Sequence, residues 1–68
     1  MKTFRAKQIA DVNGLDLWWN VHQKEWTLHN KSHVPEKYKS KTFKSFEILD
    51  LSESQFEYIC LNLNENEQ

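Results

Sequence analysis

A chain of 68 residues has room for one small domain, which buries only about 60% of the surface its unfolded form exposes. One cysteine, Cys60, excludes an internal disulfide and with it the stapled secreted scaffold. No apolar run approaches the roughly 18–20 residues of a membrane helix, and a net charge of −1 gives no overall pull toward nucleic acid or acidic lipid.

Lys2 to Asp11 alternates apolar and polar residues and reads as a first strand. Asn13-Gly14 then matches a two-residue type I′ hairpin turn, since both residues accept positive φ. That turn pairs Val12 with Leu15 and Ala10 with Leu17. It gathers Phe4, Ala6, Gln8, Ala10, Val12, Leu15, Leu17, Trp19 and Val21 on one face of the sheet. The second strand runs Leu15 to His22. Its Trp18-Trp19 pair sends one ring to each face, so both cannot lie in a one-sided core. A four-residue connection from His22 to Glu25 leads to a third strand, Glu25 to His29. Trp26 and Leu28 join the apolar face. The outer face carries a short line across three strands, Ile9, Trp18 and His29.

Asn30 to Lys41 is loop: Pro35 cannot donate to a ladder, and the remaining residues favour turns. From Lys31 to Lys44 there are five lysines and one acid; from Glu47 onward there are six acids and no base. Residues 42–50 read as a fourth strand, although Phe43, Phe46 and Leu49 also have the spacing of a short helix. Residues 52–63 read as a helix. Ser52 and Gln55 form a capping box, Leu51 and Phe56 a hydrophobic staple. Phe56, Ile59, Cys60 and Leu63 make one stripe that should lie on the apolar face of the sheet. Residues 64–68 form an acidic tail with nothing to bury.

The expected fold is therefore α+β: a three- to four-stranded antiparallel meander with one C-terminal helix on its apolar face. Three surfaces stand out as sites. Ile9, Trp18 and His29 form an apolar patch on the outer face, and exposed tryptophan is enriched at binding hot spots. Lys37, Tyr38, Lys39 and Lys41 put cations beside an aromatic ring, the ingredients of a single-strand nucleic-acid surface. Glu53 and Glu57 present negative charge to a basic partner. Against each stands a plain alternative: a second small core under Trp18, a solvated loop, a solvated helix face.

No metal site is legible, because His29 and His33 lack further ligands at suitable spacing. No phosphate loop or nucleophile motif points to catalysis or a cofactor, and Cys60 lies on the buried stripe, where a thiol acts as a small hydrophobe. The reading is a non-catalytic, cytosolic protein-binding module, an inhibitor or adaptor of a larger protein, in the manner of small accessory or virus-encoded regulators. Single-stranded nucleic-acid binding and homodimerisation are the alternatives.

Overall fold

The computed structural model describes residues 1–64. It is an α+β fold with element order α1 (Thr3–Val12), β1 (Asp16–Asn20), β2 (Glu25–His29), a 3-10 turn (Pro35–Lys37), β3 (Ser40–Phe43), α2 (Ser45–Asp50) and α3 (Glu53–Asn64). The sheet is antiparallel, in the order β1-β2-β3. The described residues form three α-helices and three strands where the sequence suggested one helix and up to four strands.

The first strand of the sequence reading is helix α1. Its alternation rested on Phe4 and Val12, which are 62% and 81% exposed. The residues that turn inward are Ala6, Ile9 and Ala10, at the i, i+3, i+4 spacing of a helix. Two of the three are alanine, the best helix former and poorly suited to strands. Asn13-Gly14 ends this helix and makes no hairpin. Gly14 has φ +77°. Its N–H reaches the Asp11 carbonyl at 3.0 Å, and the Leu15 N–H reaches that of Ala10 at 2.9 Å. These are the two bonds of a Schellman C-cap. Leu15 and Ala10, both buried, supply the apolar contact that accompanies it.

The hairpin that does form joins β1 to β2 through Val21–Lys24. The register pairs Leu17 with Leu28, Trp18 with Thr27 and Trp19 with Trp26. It differs by two residues from the expected one, so every side chain keeps its face. Asn20 makes the turn: its Oδ1 accepts the N–H groups of His22 and Gln23, both at 3.0 Å, while Lys24 takes φ +57°.

Residues 42–50 divide between the two readings, with β3 ending at Phe43 and α2 beginning at Ser45. The last helix follows its sequence signature. Ser52 Oγ accepts the Gln55 N–H at 3.1 Å, and Gln55 Oε1 accepts the Ser52 N–H at 2.9 Å. Phe56 and Cys60 are fully buried, with Ile59 and Leu63 packed beside them. The Met1 ammonium donates to the Leu49 and Leu51 carbonyls at 2.8 Å, placing a cation at the negative end of α2. The expected acidic tail lies outside the described residues except for Asn64, whose side chain donates to the Asn13 carbonyl.

The core is Ala6, Ile9, Ala10, Leu15, Leu17, Leu28, Phe43, Ile48, Phe56 and Cys60, enclosed between the three helices and one face of the sheet. The molecule is only 15 Å thick along its shortest axis. That is the depth of one sheet and one helix layer, so the other face of the sheet meets solvent.

Candidate functional site: the open face of the sheet

Because side chains alternate along a strand, burial of Leu17, Leu28 and Phe43 turns Asp16, Trp18, Asn20, Glu25, Thr27, His29, Ser40 and Thr42 outward. The register stacks them in rows: Trp18 beside Thr27 beside Thr42, and Asp16 beside His29 beside Ser40. Trp18 is 41% exposed, with no layer over it among the described residues.

His29 is held at three points. Its Nε2 lies 3.2 Å from Asp16 Oδ2, and its Nδ1 accepts the Lys31 N–H at 3.2 Å. An accepting Nδ1 places the ring proton on Nε2, where it donates to the carboxylate. The Tyr38 ring lies 5.8 Å away, centroid to centroid. Tyr38 reaches this face because the loop folds back on Asn30. The Asn30 Oδ1 accepts from the Ser32 and Lys39 N–H groups at 3.2 Å, and its Nδ2 donates to the Lys37 carbonyl at 2.8 Å. Lys31 takes φ +63° at the start of the loop. At the far end of the face Glu25 pairs with Lys44 at 3.4 Å.

The structure thus joins two sites that the sequence kept apart. Trp18 and His29 share the outer face as expected, and Tyr38, assigned to the basic loop, completes the line with Lys37 and Lys39 flanking it. Ile9 does not belong there: it is 6% exposed and faces the core from α1. Lys41 pairs with Leu28 and so points to the helix side, with Nζ 5.8 Å from the Phe43 ring centroid. Glu53 is engaged within the fold. The Arg5 guanidinium grips it through NH2 and Nε, each at 3.1 Å, and this hydrogen-bonded cation holds the Glu53 carboxyl below the ordinary carboxylate range. Glu57 is exposed on α3, on the helix layer rather than the open face.

Asn20 and Asn30 are the site residues that sequence reading missed. Each stands at a strand end before a turn-forming stretch, where an asparagine side chain substitutes for a strand partner. Among the described residues, no group of three or more His, Cys, Asp or Glu side chains is placed to hold a metal. No helix there is long and apolar enough to cross a membrane. Burial pushes the Cys60 thiol up to about 11, which keeps it protonated and unreactive at neutral pH. Comparison with protein-family models, with curated proteins and with solved structures finds no match for this chain.

Proposed function

We propose that this protein is a non-catalytic binding module that engages a larger protein through the open face of its sheet. One observation carries the reading: among the described residues no helix or further sheet covers the outer sheet face, which presents Trp18 beside the braced His29–Tyr38 pair. Rigid aromatic area bordered by polar groups, displayed at low entropic cost, is the composition of an interface hot spot. Regulation of the partner, as inhibitor or adaptor, is the role that binding through such a surface would serve.

The test is affinity capture with two matched baits, the parent chain and Trp18→Ala. A protein retained by the parent and lost with the variant, whose circular dichroism is unchanged, supports the reading. Equal capture by both baits refutes it.

A second reading is single-stranded nucleic-acid binding. Its support is the placement of Tyr38, between Lys37 and Lys39, on the same face as Trp18. Asp16 and Glu25 on that face weigh against it, since phosphate contacts need uncompensated cations. Binding of a labelled oligonucleotide that declines steeply with salt, with a shallower slope in Lys37→Ala/Lys39→Ala, would favour this reading over the first.

A further inference from the structure

The two edges of the sheet are not equivalent. The Asn30 N–H donates to the Lys39 carbonyl at 3.2 Å, which makes residues 30 and 39 a hydrogen-bonded pair. Such pairs alternate along an antiparallel ladder. In the observed register, Lys41 and Phe43 therefore aim their backbone groups at β2. Ser40 and Thr42 aim theirs away from the sheet. The same alternation carried across β2 sends the Leu17 and Trp19 backbone outward at the β1 edge. There Lys7 Nζ donates to the Leu17 carbonyl at 3.1 Å, so a side chain of α1 takes one of the four outward groups at that edge. At the β3 edge no described residue takes the outward groups of Ser40 and Thr42.

Beside this free edge, toward the helices, lies a groove of about 450 Å³, with Phe43, Phe46, Leu51 and Ile59 supplying its apolar surface and Glu47, Asp50 and Gln55 polar groups. A smaller depression of about 260 Å³ adjoins it, reaching Leu63, and Lys41 and Ile59 border both. Phe46 is 68% exposed at the groove. Lys41 takes part in no ion pair among the described residues.

We propose that the β3 edge is a second docking surface, taking one extended peptide segment of a partner protein by strand addition. The backbone of Ser40 and Thr42 offers up to four hydrogen bonds to that segment. Side chains of an added strand that face the groove recur about 7 Å apart, so successive ones on that face would meet the two adjoining depressions. The larger takes an apolar side chain against Phe43, Phe46 and Ile59. Glu47 and Asp50 line the larger depression, so Lys41, the cation bordering both, selects an acidic residue two positions along, at the smaller depression lined by Lys41, Ile59, Asn62 and Leu63. This is strand augmentation, in which main-chain bonds supply affinity and alternate side chains supply specificity. It stands apart from the open-face reading, since Trp18 and Lys41 lie on opposite faces of the sheet.

The test is selection of a displayed library of random octapeptides against the whole chain, followed by fluorescence anisotropy on the enriched peptides. Enriched sequences should carry an apolar residue and an acidic residue at i and i+2. Thr42→Pro removes an outward N–H and leaves the β2 ladder untouched; it should weaken binding about tenfold or more. Lys41→Glu, which does not disturb the backbone, should turn the preference from acidic to basic at the second position. No enrichment overturns the proposal, as do peptides indifferent to both variants. Peptides lost only with Trp18→Ala assign binding to the open face and overturn this site alone. A mass that doubles with concentration in the parent and stays single in Thr42→Pro assigns the edge to a second copy instead.

Discussion

Replacing Gly14 with alanine tests whether Asn13-Gly14 ends a helix. Gly14 has φ +77°, and a Cβ built there meets nothing within 4 Å, so packing does not oppose the change. What remains is the cost of holding an L-residue in the left-handed region, about 1–2 kcal/mol. Alanine also narrows the unfolded ensemble, which returns about 0.4–1 kcal/mol. The net expectation is a loss of about 1 kcal/mol. Unfolding entropy scales with chain length, so for a chain of this size the loss corresponds to a fall in Tm of about 7 °C. Asparagine tolerates the left-handed region better, so Gly14→Asn should lose less than Gly14→Ala. Thermal melts and urea titrations followed by far-ultraviolet circular dichroism give both numbers. A neutral or stabilising Gly14→Ala would mean that residue 14 does not hold positive φ, and the Schellman cap would be wrong. A loss above about 3 kcal/mol would mean that the position is crowded, contrary to the open space around it.

Leu28→Ala, at a fully buried position, should cost about 2–5 kcal/mol and leave the domain largely unfolded, while Trp18→Ala should retain a cooperative melt; a collapse of Trp18→Ala would place that ring in a core. Ser52→Ala should cost about 1 kcal/mol through loss of the α3 cap, read from the urea midpoint, and an unchanged midpoint would exclude the capping box. Cys60 is raised from its ordinary value near 9 to about 11 by burial. The unfolded chain therefore releases the thiol proton first, so stability should hold below pH 9 and fall between pH 9 and 11. Cys60→Ala should flatten that part of the pH profile, and a slope unaffected by the substitution would assign it elsewhere. Asn30→Ala should speed hydrogen exchange at the Ser32 and Lys39 amides without changing that of Leu28. Equal exchange at the loop amides would show that Asn30 does not hold the loop.

The parts of the fold that were legible in the sequence are those where a local signal had no competitor. Ser52 and Gln55 sit three apart ahead of a clean apolar stripe, and helix α3 follows. The pair of β1 and β2 was legible to within two residues, because a two-residue slip preserves which face each side chain takes. Helix α1 was not, for a specific reason. Phe4, Ala6, Ala10 and Val12 fit a period of two, Ala6, Ile9 and Ala10 fit a helical period, and Gly14 serves either a hairpin or a helix cap. Only burial of Ile9 in the core that it shares with Phe56 and Cys60 decides between them, and that core is assembled from residues far apart in the chain. The open face was half visible. Trp18-Trp19 announced that the two rings take opposite faces, although Trp19 on the helix side is as exposed as Trp18, 40% against 41%, and His29 followed by strand parity. Tyr38 reaches the same face only because Asn30 folds the loop back, which no spacing in the chain reports.

The lysine at the β1 edge bears on the stoichiometry of assembly. Filaments of stacked sheets need a donor edge and an acceptor edge on each copy. Here Lys7 takes the Leu17 carbonyl at one edge, so a strand from another molecule adds there only by displacing that side chain, whereas the β3 edge demands no displacement. Pairing of two copies through that side would close on itself after one step, with the guarded edges outermost. Lys7 thus biases addition toward one strand edge and works against open-ended growth, and Lys7→Ala is the change that would remove that bias.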